Sequence, residues 1–126
     1  DPAVVHEAAI DPSQWMSNGK PFTIHTGGLH MHTRGTKASL GVRHQGGQDE
    51  CLIDIPRWDF DWQFGYAFTE PVSFQPGDLL TLRCQWDNSP SNQPSIGGQP
   101  MPPQALAWGD GTNDEMCLAT IYITVD

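Results

Sequence analysis

The sequence predicts an all-β fold: one antiparallel β-sandwich, jelly-roll-like, of about eight strands. Three observations predict it. Short runs rich in β-branched and aromatic residues recur, separated by turn signals at intervals of about 8–12 residues. Gly (13) and Pro (11) are plentiful but follow no period, which marks a turn-rich globular chain and not a fibre or a disordered tail. No internal repeat, coiled-coil heptad or long amphipathic helix competes with that pattern. At 126 residues the chain has the size of one domain and is long enough to bury a core.

Taken in order, residues 1–20 mix polar, Pro and small residues and are expected to form an N-terminal arm with little regular structure. Residues 21–126 are expected to form the sandwich. Residues 22–25 (Phe-Thr-Ile-His) are a short alternating run, closed by the turn signal Thr26-Gly27-Gly28. Residues 29–33 and 38–43 read as two further strands, broken at Gly35. Gly46-Gly47 marks the next turn, and 51–55 the next strand, stopped by Pro56. Across 58–64 aromatic and polar residues alternate, so a strand there puts Trp58, Phe60, Trp62 and Phe64 on one face. Burying them as core is the plain expectation, and a sugar-stacking platform needs them exposed. Residues 71–74 form another strand, 75–78 a tight turn, and 79–86 a longer strand. Residues 87–107 hold five of the eleven prolines and read as a long loop. Residues 108–112 look turn-like, and 116–125, rich in β-branched residues, close the sheet.

Charge narrows the function. Fifteen Asp and Glu against six Lys and Arg give a net charge of −9, with no basic stripe, so nucleic acid and anionic membrane surfaces are excluded as partners. The apolar runs are too short to span a bilayer. The sequence starts at Asp1 without a signal peptide and reads as a mature or excised segment of something longer. Three cysteines, Cys51, Cys84 and Cys117, allow one bridge and one thiol. Cys84 and Cys117 each lie in a strand-like run, which suits a bridge between strands in an oxidising compartment.

The sharpest chemical signal is His30-Met31-His32. On a strand, positions i and i+2 face one side, so both imidazoles can share a metal while Met31 faces the other way. No acidic residue follows at helical spacing, so the zinc-protease pattern is absent. Far along the chain, Asp114-Glu115-Met116-Cys117 offers a thioether, a soft donor that favours Cu(I) over zinc, calcium or magnesium. Two imidazoles and one thioether would leave an open position on the metal. A bridge at Cys117 would pin Met116 in place, although a core methionine is the simpler reading of Met116 alone. His25 stands near the pair, and Asp114 and Glu115 could either support a turn or orient a ligand imidazole. His44, beside Gly46-Gly47, and His6, in the arm, carry no such spacing.

These residues form part of a longer ordered series. His30-Met31-His32 with Gly35 is followed by residues 51–58 (Cys-Leu-Ile-Asp-Ile-Pro-Arg-Trp), Trp62-Gln63, Tyr66 and Glu70-Pro71-Val72. Then come Pro76-Gly77-Asp78, Cys84, Asp87-Asn88-Ser89, and Trp108-Gly109 through Asp114-Glu115-Met116-Cys117. Together they resemble the C-terminal domain of the copper type II, ascorbate-dependent monooxygenases, over roughly residues 21–126. That family includes the peptidylglycine α-hydroxylating and dopamine β-monooxygenases, and the wording here is closest to bacterial-type relatives.

The resemblance implies one copper ion per chain, with His30, His32 and Met116 as both metal ligands and catalytic residues. It implies a Cys84–Cys117 bridge that leaves Cys51 free. It further implies dioxygen or peroxide as co-substrate, and an external electron donor, either ascorbate or a second copper or redox domain. The organic substrate is unspecified and the location extracytoplasmic, periplasmic or secreted. Nothing in this sequence matches the family's three-histidine electron-supplying copper, so the chain reads as the catalytic half of an enzyme, incomplete alone. The residues by which peptide-amidating members hold a substrate carboxylate correspond to Gly28, Leu118 and Thr120, so peptide amidation is not expected. Two other functions fit the same residues: a non-enzymatic copper carrier or sensor, and a metal-free carbohydrate-binding sandwich.

Overall fold

The computed structural model describes residues 1–61, 63, 65–102 and 115–125. Among them, seven strands build two antiparallel sheets. The first contains β1 (Val4–Ile10), β3 (Gly35–Arg43), β4 (Asp49–Ile55) and β6 (Leu79–Trp86), in the order β1-β6-β3-β4. The second contains β2 (Phe22–Met31), β5 (Gly65–Phe74) and β9 (Cys117–Val125), in the order β5-β2-β9. A two-residue hairpin, β7 (Ser95–Ile96) with β8 (Gln99–Pro100), lies in the long loop, and one short helix, α1 (Ser13–Ser17), follows β1. The expected antiparallel sandwich is the architecture found.

Two apolar clusters fill the space between the sheets. Leu29, Met31, Leu40, Ile53, Trp58, Cys84 and Trp86 pack at one end. Phe22, Ile24, Val42, Val72 and Phe74 pack at the other, with the Phe22 and Phe74 rings stacked at 4.6 Å. The Cys84–Cys117 disulfide joins β6 to β9, and so one sheet to the other, across a Cα separation of 5.9 Å. Cys51 is a free, exposed thiol.

Three local expectations are corrected. Residues 4–10, expected in an irregular arm, pair along their whole length with β6, from Val4 opposite Trp86 to Ile10 opposite Leu80. This is an edge strand with mostly exposed side chains, so backbone pairing defines it and no inward/outward pattern reveals it. The glycine pair 27–28 does not turn the chain but lies inside β2. A Cβ on Gly27 would come within 3.1 Å of Ile53 and 3.2 Å of Phe68, so the missing side chain lets the sheets close. Residues 56–61 form bends and a turn instead of a strand. Trp58 is buried in the core, whereas Trp62 and Phe64, like the turn expected at 108–112, lie outside the described residues.

One irregularity in β2 positions the site. Ile24 pairs with Ile123 of β9 and Thr26 with Tyr122, so His25 is an extra residue, a β-bulge. Before it, Phe22 and Ile24 point inward; after it, Gly27, Leu29 and Met31 do. His30 therefore points away from the apolar core.

Candidate metal centre

β2 ends at Met31, and His32 opens a tight turn in which the Gly35 N–H donates to the His32 carbonyl at 3.1 Å. Glycine is favoured at the fourth position of such a turn. Here it also has no room for a side chain, because a Cβ would lie 2.9 Å from Met31 Cε and 2.9 Å from Trp58. The His-x-His segment is thus held against the core from behind by Met31 and Trp58.

The two imidazoles stand side by side, with ring centroids 4.9 Å apart and planes at 78°. Metal–nitrogen bonds of about 2.0–2.1 Å would place the centres of two rings on one ion roughly 5 Å apart. The observed spacing fits that requirement without movement of the strand. Phe60 covers both rings, 6.5 Å from His30 and 6.1 Å from His32. His32 is buried and His30 half-buried.

Gln63 fixes which nitrogen of His30 is available. Its amide nitrogen donates to the Phe60 carbonyl at 2.8 Å, so its amide oxygen faces His30 Nδ1, at 2.6 Å. An amide oxygen only accepts, so Nδ1 of the neutral ring carries the proton and the lone pair lies on Nε2. A partner of this kind typically orients and strengthens a metal-binding imidazole.

Met116 lies one residue before β9. The last pairs of the ladder are His30 with Leu118 and Met31 with Cys117, so His32 and Met116 follow directly beyond its end, outside both strands. Leu118, paired with His30, lies on the His30 face, while Cys117 turns to the core and its disulfide. Gly28 pairs with Thr120 and with Gly65, which makes the strand surface beside His30 small and uncharged. Among the described residues no three His, Cys, Asp or Glu side chains gather as a metal site. A thioether is one donor that could complete such a pair.

Glu115 is buried beneath this face at 3 % exposure, and Arg34, two residues after His32, is buried at 1 %. Their side chains form an ion pair with Nη1 and Oε2 3.7 Å apart, and the Arg34 backbone N–H donates to the same oxygen at 3.2 Å. Burial pushes the Glu115 carboxyl above its ordinary value, against the opposing pull of the Arg34 N–H and the Arg34 and His32 charges. His25 stands five residues up the strand at the bulge, with Nε2 2.7 Å from the Thr124 hydroxyl. Asp114 lies outside the described residues. His44 sits at the far end of the sandwich between Asp78 and Glu50.

Sequence reasoning left Gln63 and Arg34 without a role. Gln63 carried a weak signal, its place in the ordered series of motifs. Arg34 carried none, because an arginine in a turn reads as solvent-exposed.

The structure is an antiparallel sandwich that presents two adjacent imidazoles at the end of one strand. The family model for the copper type II ascorbate-dependent monooxygenase C-terminal domain matches residues 13–124, and the chain belongs to that family. Copper, dioxygen and ascorbate are the cofactor, co-substrate and reductant of such monooxygenases. Among the described residues no helix is long and apolar enough to cross a membrane.

Proposed function

We propose that this chain is the oxygen-activating half of a copper monooxygenase, holding one copper ion through His30, His32 and Met116. What supports this is the pair of imidazoles 4.9 Å apart, one of them facing Gln63, with Met116 directly beyond the paired end of the same two strands. Copper held there would supply the one-electron chemistry that places one oxygen atom of dioxygen into a substrate C–H bond, with electrons from ascorbate or a partner redox domain.

The protein's own part is placement. Gln63 keeps the Nδ1 proton of His30 in place, Phe60 shields both rings from water, and the disulfide at Cys117 restrains Met116. The neighbouring surface of Gly28, Gly65, Leu118 and Thr120 offers no cation to a substrate carboxylate, so a glycine-extended peptide is not the substrate. On this reading the electrons come from ascorbate or from a redox domain that is not among these 126 residues. A disulfide that bridges the two sheets suits an oxidising location, periplasmic or secreted.

The test is X-ray absorption at the copper edge of the Cu(I)-loaded protein, with Met116→Ile for comparison. A sulfur shell at about 2.3 Å that disappears in the variant supports the ligand set. Its absence in the wild type removes it. Hydroxylation assays with ascorbate and a partner domain then separate an enzyme from a carrier: His30→Ala abolishes turnover in the first, while the second binds copper tightly and never turns over. A sugar platform has less support, because Trp58, one of the rings it needs, is only 8 % exposed.

A further inference from the structure

Arg34 is nearly absent from solvent, and a side chain of its kind is almost never buried unless it is paired. Three separate stretches of chain meet on it. Its guanidinium faces Glu115, and its Nε donates to Gln93 Oε1 at 3.1 Å. Its carbonyl accepts the Asp87 backbone N–H at 2.9 Å. Gln93 is itself tied down, donating to Asn88 Oδ1 at 3.0 Å and to the Ser89 carbonyl at 2.9 Å. The turn that follows His32, the loop that follows β6 and the residue that precedes Met116 are thereby locked together.

Stability alone is a poor reason for such an arrangement, since a buried ion pair is often no better than a well-packed apolar cluster. Placement is a better one. Met116 lies outside β9, so its position depends on its two neighbours, and both are anchored: Cys117 to Cys84 by a covalent bond, Glu115 to Arg34 by charge and an N–H bond.

We propose that Arg34 is a positioning residue for the copper site, acting through Glu115 to hold the Met116 thioether opposite His32. This rests on the ligand set proposed above. Arg34 touches neither copper nor substrate; it sets the distance between a soft donor on one strand and two imidazoles on another. A lysine does not replace it, because one ammonium cannot reproduce the fork that serves Glu115 and Gln93 together.

The experiment is a thermodynamic cycle on the Cu(I) affinity of the 126-residue chain, measured by chelator competition. Arg34→Gln and Glu115→Gln are each made in the wild type and in Met116→Ile. Each is expected to weaken Cu(I) binding about 10- to 100-fold in the wild type and to diminish the sulfur shell at the copper edge. In the Met116→Ile background the same substitutions change affinity by no more than about twofold, the scatter within which independent effects add. Equal losses in both backgrounds would show a general structural role and overturn the proposal. If Met116→Ile itself leaves affinity and the sulfur shell unchanged, the ligand set fails, and this inference with it. Circular dichroism and thermal melts establish which variants fold. Arg34→Lys enters the same cycle with the same expected coupling if Arg34→Gln does not fold.

Discussion

Nδ1 of His30 lies 2.6 Å from Oε1 of Gln63, and the Gln63 amide is turned that way because its nitrogen is committed to the Phe60 carbonyl at 2.8 Å. The proton position on a histidine is thus decided by a backbone carbonyl three residues before the glutamine.

Replacing Gln63 with leucine removes the acceptor and frees the ring to exchange tautomers. Nitrogen-15 NMR of the copper-free protein is expected to show His30 protonated at Nδ1 in the wild type and mixed in Gln63→Leu. Cu(I) affinity should fall about 10- to 100-fold. An unchanged His30 spectrum in the variant would refute the role given to Gln63.

The bridge between β6 and β9 closes a span of 33 residues. On the chain-entropy model its loss through Cys84→Ala with Cys117→Ala costs about 3–4 kcal/mol. Urea denaturation of the double variant against the wild type measures it. A difference under about 0.5 kcal/mol, the size of an ordinary surface change, would mean that packing alone holds the sheets together.

Gly35→Ala forces a methyl group against Met31 and Trp58 and is expected to cost about 1–3 kcal/mol by overpacking. Gly46→Ala is the control, since nothing lies within 4 Å of the added carbon. Thermal melts of the two variants should differ clearly. Equal melting points would show that the packing behind the His-x-His segment is loose.

His44 provides a test in pH. Its ring nitrogens lie 2.9 Å from Glu50 and 3.0 Å from Asp78, so both donate when the ring is charged. The hydrogen bonds to Glu50 and Asp78 raise His44 above its ordinary 6.5. For Asp78, burial pushes upward, but the Gln75 N–H, the His44 ring and the Gln45 N–H outweigh it and hold the carboxyl below 3.8. The His44 contribution is therefore fully present below pH 6.5 and lost as pH rises through its raised folded value. The Asp78 contribution is present above pH 3.8 and lost as pH falls through its lowered value. His44→Ala should cost more stability at about pH 5.5 than at about pH 9. A cost independent of pH in urea denaturation would contradict the charged clip.

Much of the sandwich was legible because its central strands alternate or carry β-branched residues: β6 was read at its observed bounds, and β3, β4 and β9 nearly so. β1 was not, because the face of an edge strand that lies in solvent needs no pattern. Gly27-Gly28 misled because glycine signals both turns and close sheet contact, and only its neighbours in space, Ile53 of the facing sheet and Phe68 of the adjacent strand, decide which. The His pair was legible from the two-residue period alone. Gln63 and Arg34 act by contacts across 33 and 81 positions of sequence, a relation that local spacing does not encode.

The bulge at His25 acts as an address for the chemistry. A strand knows only odd and even, and this one changes its count once, so that the inward residues are even-numbered before His25 and odd-numbered after it. Were the same residues to run on from Phe22 as a regular strand, with no bulge, His30 would fall on the core face and Leu29 and Met31 would turn outward. The outward direction of His30 is therefore written as a change of parity five residues upstream, at a residue whose own side chain is occupied with Thr124.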